Sequence, residues 1–334
     1  MAAADSATTP PEDALAEAAA GAVREAAEEA SAFGHPQVPP DATAAYGGHP
    51  DQVIDFYRPR GAGAAARPAP LVGLLHGGAW RAAYDRRHVS PLAARLAAAG
   101  FAVASVEYRR GGLPDGSGQA AGPPERQEPD GEVPEPAGTP PGGPAPAGRW
   151  PDTFDDVAAA LDALPELAVE ALGARAVDPR RIVLTGHSAG GHLVLWAAAR
   201  HVLPPDSPWH LVSPPALRGV VALAPIADFG SAIRLHVCSG AVDDLLGGPD
   251  HRADRAPHAD PSVLLPTGIA TTIVHGATDN VVPRQVSEAF AAAAAAAGEE
   301  PTVAWLPATG HFPLIDPAAP AAQAVIDEIV QLAW

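Results

Sequence analysis

Short apolar runs alternate with longer segments of helix-forming residues from about residue 51 to the end of the chain. The run 71–75 is continuously apolar, which predicts a central strand buried on both faces. Strands joined by crossover helices form a mostly parallel sheet with helices on both faces, so the predicted fold class is α/β. The pattern predicts strands at 53–57, 71–75, 101–108, 181–185, 219–224, 271–275 and 302–306, and helices at 90–99, 154–172, 192–200, 285–297 and 318–332.

Three regions depart from this alternation. Residues 1–50 are rich in Ala, Pro and acidic residues, and we expect a partly disordered N-terminal arm that forms a helix over 12–33. Residues 111–149 are dominated by Pro and Gly and lack hydrophobic periodicity, which predicts a disordered low-complexity insertion. Residues 226–266 are irregular, as expected of a small cap over a pocket. We interpret 51–334 as one domain.

The composition of the chain limits the kinds of partner that it is expected to bind. The chain has 334 residues, of which 47% are hydrophobic, so it can bury a large core. Its formal net charge is −18 and all its basic residues are arginines, which argues against nucleic acid and anionic membranes as partners. Cys238 is the single cysteine, which excludes an intramolecular disulfide and favours a reducing compartment. Because we find neither a secretion signal nor a membrane-spanning run, we expect a soluble cytoplasmic protein, with its oligomeric state open.

The segment 186–191 carries the strongest chemical signal. It places Ser188 between Gly186 and Gly190, after a β-branched apolar run and before a helix-forming segment. A serine between glycines at a strand-to-helix junction is typical of a nucleophile elbow, where a tight turn holds the hydroxyl clear of the sheet. We therefore predict that Ser188 is a nucleophile.

A serine hydroxyl becomes a good nucleophile only when a histidine accepts its proton and an acid orients that histidine. Asp279 follows the predicted strand 271–275, and His311 follows the predicted strand 302–306. Because side chains after parallel strands gather at one edge of the sheet, we predict Ser188, His311 and Asp279 as the catalytic residues.

Other candidates for the acid and the base are weaker. Asp228 follows the strand 219–224 and is an alternative acid. Asp316 and His258 follow no predicted strand, so solvent exposure is expected for both. His275 ends a strand and is expected to tie loops together.

A second signal, residues 76–80, directly follows the buried strand 71–75. Gly77 and Gly78 let backbone amides approach a substrate carbonyl, and with the amide of Ala189 they would form an oxyanion hole. His76 is interpreted as an organiser of this loop.

Further pocket residues are less certain on sequence grounds, because core packing explains them equally well. The candidates are Trp80, His187, Ile226, Leu245 and Leu246. The chain has no zinc-type Cys/His spacing, phosphate loop or dinucleotide fingerprint, so we expect no cofactor and no metal.

These motifs occur in an order that resembles the α/β-hydrolase superfamily of esterases and lipases, and within it the kynurenine formamidase (arylformamidase) and carboxylesterase branch. The resemblance covers roughly residues 51–334 and implies a catalytic domain with the α/β-hydrolase fold. Ala79 stands where hormone-sensitive-type lipases have a third glycine, so the substrate class stays open. The motifs are His-Gly-Gly-Ala-Trp at 76–80, Glu-Tyr-Arg at 107–109, Gly-His-Ser-Ala-Gly-Gly-His-Leu at 186–193, His-Gly-Ala-Thr-Asp at 275–279 and Gly-His-Phe at 310–312.

The resemblance implies a carboxylesterase that acts on a small-molecule ester through an acyl-enzyme intermediate. An arylformamidase acting on N-formylkynurenine-type formamides is the main alternative. A peptidase of the prolyl-oligopeptidase type is less favoured, since the chain before residue 51 is too short for a propeller. A non-catalytic small-ligand module is disfavoured because all three candidate catalytic residues are present.

Overall fold

The computed structural model describes residues 12–61, 67–111, 148 and 150–334. Eight strands in this part of the chain form one sheet in the order β1-β2-β4-β3-β5-β6-β7-β8. β1 pairs antiparallel with β2 and β2 antiparallel with β4, whereas all other pairs are parallel. The strands are β1 (Ala42–Ala45), β2 (Val53–Tyr57), β3 (Ala69–Leu75), β4 (Ala102–Val106), β5 (Val177–His187), β6 (Gly219–Leu223), β7 (Thr271–Gly276) and β8 (Thr302–Leu306).

Helices follow most of the parallel strands in the described part of the chain. They are α1 (Glu12–Phe33), α2 (Ser90–Ala98), α3 (Asp152–Leu172), α4 (Ala189–Ala198), α5 (Phe229–Arg234), α6 (Ala241–Leu246), α7 (Arg252–Arg255), α8 (Gln285–Ala296) and α9 (Pro320–Ala333). Short 3₁₀ turns add Arg86–Val89, Val237–Ser239, Pro249–His251, Ala256–His258, Pro261–Val263 and Phe312–Leu314.

The alternation of side chains along β3 explains why this strand is apolar throughout. Leu71 and Leu75 pack into one hydrophobic layer, which also contains buried residues of α3, α4 and α8. Val72 and Leu74 pack into the layer on the other face, together with buried residues of α2 and α9. Since successive side chains of a strand point to opposite faces, covering both faces requires an unbroken apolar run. The predicted α/β sheet is therefore confirmed.

The sheet extends further toward the N-terminus than the sequence analysis expected. β1 lies inside the region interpreted as an arm, and it pairs with β2 from Ala42↔Phe56 to Ala45↔Val53. β2 is consequently an internal strand and β1 is the edge. Ala and Thr alone give β1 no apolar run, so the pattern of residues 42–45 does not identify a strand.

Most of the predicted insertion lies outside the described residues, but its two ends are described. The amides of Gly111 and Gly148 both donate to the carbonyl oxygen of Trp80, at 3.0 and 2.7 Å. The chain thus leaves and returns at one point beside the loop 76–80. Among the described residues, no helix is long and apolar enough to cross a membrane.

Candidate active site

Ser188 lies at the junction of β5 and α4 with φ 55° and ψ −113°. Such an angle is strained for a residue with a side chain, at a cost on the order of 1–3 kcal/mol. Hydrogen bonds hold the turn: the Ser188 amide donates to the Leu223 carbonyl at 2.8 Å, and the Ser188 carbonyl accepts from the amides of His192 and Ile226 at 3.0 and 3.3 Å. The structure therefore has the elbow geometry that the sequence predicts.

Glycine at position 190 permits this turn. A Cβ at Gly190 would collide with the Leu75 carbonyl oxygen, because the first turn of α4 packs directly against the end of β3. The helix that starts after Ser188 consequently begins next to the loop that follows β3. This close approach brings the two motif loops together.

Asp279 and His311 are joined by a hydrogen bond from His311 Nδ1 to Asp279 Oδ2 of 2.7 Å. Asp279 Oδ1 accepts the amides of Val281 and Val282 at 2.9 and 2.8 Å, so the loop after β7 fixes this carboxylate. Burial alone would raise the pKa of Asp279, but His311 and the hydrogen bonds from His275 and His311 outweigh it and hold the pKa below its usual range. The carboxylate is therefore ionised and oriented toward the imidazole.

The other candidates for the acid and the base have structural contacts elsewhere. Asp228 Oδ1 accepts the Ser231 amide at 2.6 Å and caps α5. Asp316 is buried, contrary to the expected exposure, because it accepts hydrogen bonds from Ser31 and His35. His258 is half-buried and contributes its backbone carbonyl to Trp196.

Ser188, His187 and His311 line one pocket of about 200 Å³. The remaining wall comes from the end of α1, the loop after β3, the turn at 237–239, the loop after β7 and the segment after His311. Among the hydrogen bonds of the described residues, none joins Ser188 to His311. In enzymes without substrate this contact is often long and tightens only in the complex. The other lining residues are Phe33, Gly78, Ala79, Arg81, Tyr84, His88, Cys238, Ser239, Val281, Phe312 and Ile315.

A second cavity of about 240 Å³ lies against α4 and α8 and includes Leu195, Phe290 and Glu299 in its wall. It shares no lining residue with the Ser188 pocket. We assign the candidate active site by its chemistry, because the pocket around Ser188 brings a serine and a carboxylate-bound histidine together.

His187 supports the loop that carries His311. Its Nε2 donates to the His311 carbonyl at 3.0 Å, and the two imidazole rings lie 4.3 Å apart. Burial, followed by the nearby His311, lowers the pKa of His187 well below its usual range. A neutral His187 is thus a fixed hydrogen-bond donor at the back of the pocket.

The loop after β3 places Gly78 and Ala79 in the pocket wall. Gly78, Ala79 and Trp80 all have positive φ, at 103°, 52° and 55°, so the loop turns sharply as it passes Ser188. A Cβ at Gly77 would lie 3.4 Å from the Ser188 Cβ, which places Gly77 in contact with the serine. Of the predicted oxyanion residues, Gly77 thus lies against Ser188, Gly78 lines the same pocket, and Ala189 directly follows the serine.

His76 holds the loop after β3 in place through buried contacts, as predicted. Its Nε2 lies 2.9 Å from Glu107 Oε1, and its ring stacks on Tyr108 with a centroid distance of 4.3 Å. The Tyr108 hydroxyl donates to the His76 carbonyl at 2.7 Å. Burial would raise the pKa of Glu107, but His76, Arg110 and the amide of Arg86 lower it to about 2. A buried ionised carboxylate thus fixes the loop.

Four of the five additional pocket candidates lie in the core instead. Of the five, only His187 lines the pocket, while Trp80, Ile226, Leu245 and Leu246 are fully buried and are not part of its wall. The Trp80 ring packs 5.1 Å from His192 and 6.5 Å from Phe229, below the loop. Leu245 packs against Gly148. The positive φ of Trp80 turns its own side chain inward, whereas Ile226, Leu245 and Leu246 are buried by the packing of the segments after β6.

Several wall residues were not predicted from the sequence. Phe33 ends the predicted helix 12–33, Phe312 directly follows His311, and their rings lie 5.6 Å apart. Tyr84 and His88 come from the segment before α2, and burial lowers the pKa of His88 to about 3. Only Phe312, as the neighbour of His311, carried a sequence signal, because the other three reach the pocket through tertiary contacts.

Comparisons with known proteins agree with this architecture. Residues 145–293 match the family described as BD-FAE. No curated protein sequence matches the chain significantly. Similar solved structures include a truncated carbohydrate esterase from gut microbiota, at 20% identity over 87% of this chain and 96% of that chain with a TM-score of 0.63. Esterase B from Lactobacillus Rhamnosis (HN001) shares 20% identity over 96% of this chain and 94% of that chain with a TM-score of 0.64.

Esterase 2 from Thermogutta terrifontis, in a structure phosphoramylated by tabun, shares 18% identity over 89% of this chain and 94% of that chain, with a TM-score of 0.59. At these identities the likeness establishes a shared fold, and the chemistry rests on the site itself.

Proposed function

The chain has the α/β-hydrolase fold, and on that premise we propose that it is a serine hydrolase that cleaves small carboxylic esters. The observation that carries the proposal is the 2.7 Å hydrogen bond between His311 and Asp279. His311 lines the same pocket as Ser188, so the serine faces a histidine that is bound to a carboxylate. A strained serine, a buried ionised carboxylate and a histidine, in this order along the chain, are the parts of an acyl-transfer site.

Acylation begins when His311 Nε2 accepts the proton of Ser188 and Oγ attacks the ester carbonyl carbon. The carbonyl π electrons move to oxygen, and amides of the loop after β3 and of Ala189 stabilise that oxyanion. When the intermediate collapses, the C–O bond to the alcohol breaks and His311 returns its proton to the leaving alkoxide. Water then repeats the sequence on the acyl-enzyme and releases the acid.

Asp279 contributes through its bond to Nδ1. A carboxylate at Nδ1 keeps the proton on that nitrogen, so that Nε2 presents its lone pair to Ser188. The same negative charge stabilises the imidazolium that forms during each proton transfer. Because the pKa of Asp279 is held low, this partner stays charged throughout the working range of a histidine base.

The pocket favours small substrates. Its volume is about 200 Å³, and the aromatic side chains of Phe33, Tyr84 and Phe312 form part of its wall. A cavity of this size suits a short acyl group with apolar contacts on several sides. The names of similar structures support an ester, since they include esterase B with a tributyrin phosphonate inhibitor and esterase 2 with bound propionate.

The experiment uses a fluorophosphonate probe, which labels an activated serine. We expect labelling of the full chain, loss of the label in Ser188→Ala and retention in Ser239→Ala, because Ser239 lines the same pocket from the turn at 237–239 and not from the elbow between β5 and α4. A label that persists in Ser188→Ala would refute the assignment of the nucleophile.

Substrate class is tested by comparing kcat/KM for p-nitrophenyl acetate, butyrate and octanoate with that for N-formylkynurenine. We expect the short esters to be the best substrates and octanoate to be poor. A kcat/KM for N-formylkynurenine that exceeds those of the short esters would replace the esterase with an arylformamidase.

A further inference from the structure

α1 contacts the loops that carry the catalytic acid and base, although it belongs to the region that the sequence analysis interpreted as an arm. Arg24 Nη2 donates to the carbonyl of Thr278, the residue before Asp279, at 3.2 Å. On the far side of His311, Asp316 accepts hydrogen bonds from Ser31 Oγ at 2.6 Å and His35 Nε2 at 2.7 Å. α1 therefore makes hydrogen bonds both to the residue before Asp279 and to the segment after His311.

Glu28 makes the central contact of α1 with this region. Its Oε1 accepts the amide of Gly310, the residue directly before His311, at 3.1 Å. Its other oxygen, Oε2, is buried and has no hydrogen-bond partner among the described residues. An unpartnered carboxylate oxygen in the interior opposes folding. Stability alone does not account for a glutamate at this position.

The backbone of Gly310 lies directly against the Glu28 carboxylate. A Cβ at position 310 would collide with Glu28 Oε2. Its φ lies outside the positive range in which glycine is favoured, so the backbone conformation does not itself require glycine. A methyl group at this position would therefore displace the Glu28 carboxylate, which is the flexible end of that side chain.

A second acidic residue of α1, Glu25, also interacts electrostatically with Asp279 and His311. Burial and the carboxylate of Asp279 raise the pKa of Glu25, one turn before Glu28, whereas His311 lowers it. These are the influences expected of a helix face directed at the acid and the base.

We propose that Glu28 is a positioning residue for His311, acting through the backbone amide of Gly310. His311 is then held at three points: its preceding amide by Glu28, its carbonyl by His187 and its imidazole by Asp279. Small displacements of a catalytic group cost much more in rate than in substrate binding, and a shift of about 1 Å can cost about 100-fold. This role rests on the proposed function, since it presumes that His311 is the base.

The first experiment measures kcat and KM for p-nitrophenyl butyrate, with kcat normalised by active-site titration. We expect Glu28→Ala to lower kcat by about tenfold and to change KM by less than about twofold, because a displaced base slows proton transfer without altering ground-state binding. Glu28→Gln keeps an oxygen acceptor for the Gly310 amide, so its kcat should stay within about threefold of the wild type.

Glu29→Ala is the matched control, because it removes the same charge from the same helix and the Glu29 carboxylate makes no hydrogen bond within the described residues. We expect its kcat to equal that of the wild type. If Glu28→Ala has the kcat of Glu29→Ala in an otherwise active enzyme, the positioning role is wrong. If the wild type itself hydrolyses no ester and takes up no probe, the proposed function fails instead.

A double-mutant cycle tests the contact itself. Gly310→Ala should lower kcat in the wild type, since its Cβ displaces the Glu28 carboxylate, and should lower it less in the Glu28→Ala background, where there is room for the methyl group. The low-field proton resonance of the His311–Asp279 hydrogen bond supplies a readout independent of turnover. It should broaden in Glu28→Ala and persist in Glu29→Ala. Additive effects of the two substitutions, or an unchanged resonance in Glu28→Ala, would overturn the proposal.

Discussion

His275 Nε2 lies 3.3 Å from Asp279 Oδ2. The same oxygen accepts the hydrogen bond of His311, so two imidazoles converge on one carboxylate atom. His275 is itself fixed by Ser287 Oγ at 2.8 Å and by the Val282 carbonyl at 2.9 Å. His275 thus holds the loop that carries Asp279 in place, as expected of a residue that ties loops together.

The convergence on Asp279 makes its substitution informative. Asp279→Asn keeps the size of the side chain but removes the charge and favours the wrong tautomer of His311. We expect kcat to fall on the order of 10⁴-fold with the fold intact, as measured by ester hydrolysis and circular dichroism. Asp228→Asn is the control, because Asp228 caps α5 and does not contact His311. An inactive Asp228→Asn beside a nearly wild-type Asp279→Asn would transfer the role of the acid to Asp228.

Ser188 and His311 should behave as a single unit. We expect Ser188→Ala, His311→Ala and the double variant to lose turnover to a similar extent, on the order of 10⁴- to 10⁶-fold. Without His311 the serine has no proton acceptor, and without Ser188 the histidine has no nucleophile to activate. The measurement is kcat for the three variants with p-nitrophenyl butyrate. Losses that multiply in the double variant would show that the two residues act independently.

The pH dependence of activity should reflect a histidine base. His311 must be neutral to accept the serine proton, so kcat/KM should fall toward acid pH as the imidazole becomes protonated. Asp279 does not cause this fall, because its pKa is lowered in the folded protein. A profile measured over about pH 5 to 8 that is flat would contradict a histidine mechanism.

Asp279 should instead affect stability at lower pH. A carboxyl group whose pKa is depressed on folding stabilises the protein above its unfolded pKa of about 3.9, and this contribution is lost as pH falls through the folded value. Denaturation midpoints of the wild type and Asp279→Asn should therefore converge below about pH 4. Midpoints that remain equally far apart at acid and neutral pH would contradict the depressed pKa.

Glu107 should be important for both stability and rate. It is buried beside His76, Arg86 and Arg110, so Glu107→Ala leaves these groups without their counter-charge. We expect a loss of about 3–5 kcal/mol in the free energy of unfolding, together with lower kcat as the loop after β3 loosens. Glu288→Ala breaks the exposed 2.6 Å ion pair with Arg284 and should cost at most about 1 kcal/mol. Urea denaturation checks both, and equal losses would contradict the role given to the buried network.

The low-complexity insertion should be dispensable for folding. Its ends meet at the carbonyl of Trp80, so a short Gly/Ser linker in place of residues 114–147 can close the gap. The entropy of loop closure grows slowly with length, and we expect a nearly unchanged melting temperature. Trypsin should cut the intact protein first near Arg126, which lies outside the described residues. Deletion that abolishes folding, or protection of Arg126, would show that the segment is a structural part of the domain.

Local sequence patterns predicted most of the elements, and the errors have identifiable causes. β2 and β8 have the predicted bounds, since clear changes of pattern mark their ends. α4 begins at Ala189 instead of 192, because Gly190 and Gly191 are helical despite their low propensity. The contact of Gly190 with the end of β3 overrides that propensity.

Sequence alone determined the parts of the site that depend on chain-local chemistry. Ser188 needs a tight turn between glycines, and Asp279 and His311 each lie in the loop after a strand, so their positions could be predicted from patterns of a few residues. The parallel sheet then brings these three loops to one edge, because the carboxyl ends of its strands lie together.

The tertiary structure alone decided what surrounds these residues. Trp80, Ile226, Leu245 and Leu246 are apolar side chains near the motifs, yet the packing of loops and cap placed them in the core. Phe33 and Glu28 are distant in sequence from every motif, and only the docking of α1 brings them to His311. A local pattern encodes which backbone conformation a segment adopts, whereas contacts between remote segments depend on how their surfaces fit, and no single segment carries that information.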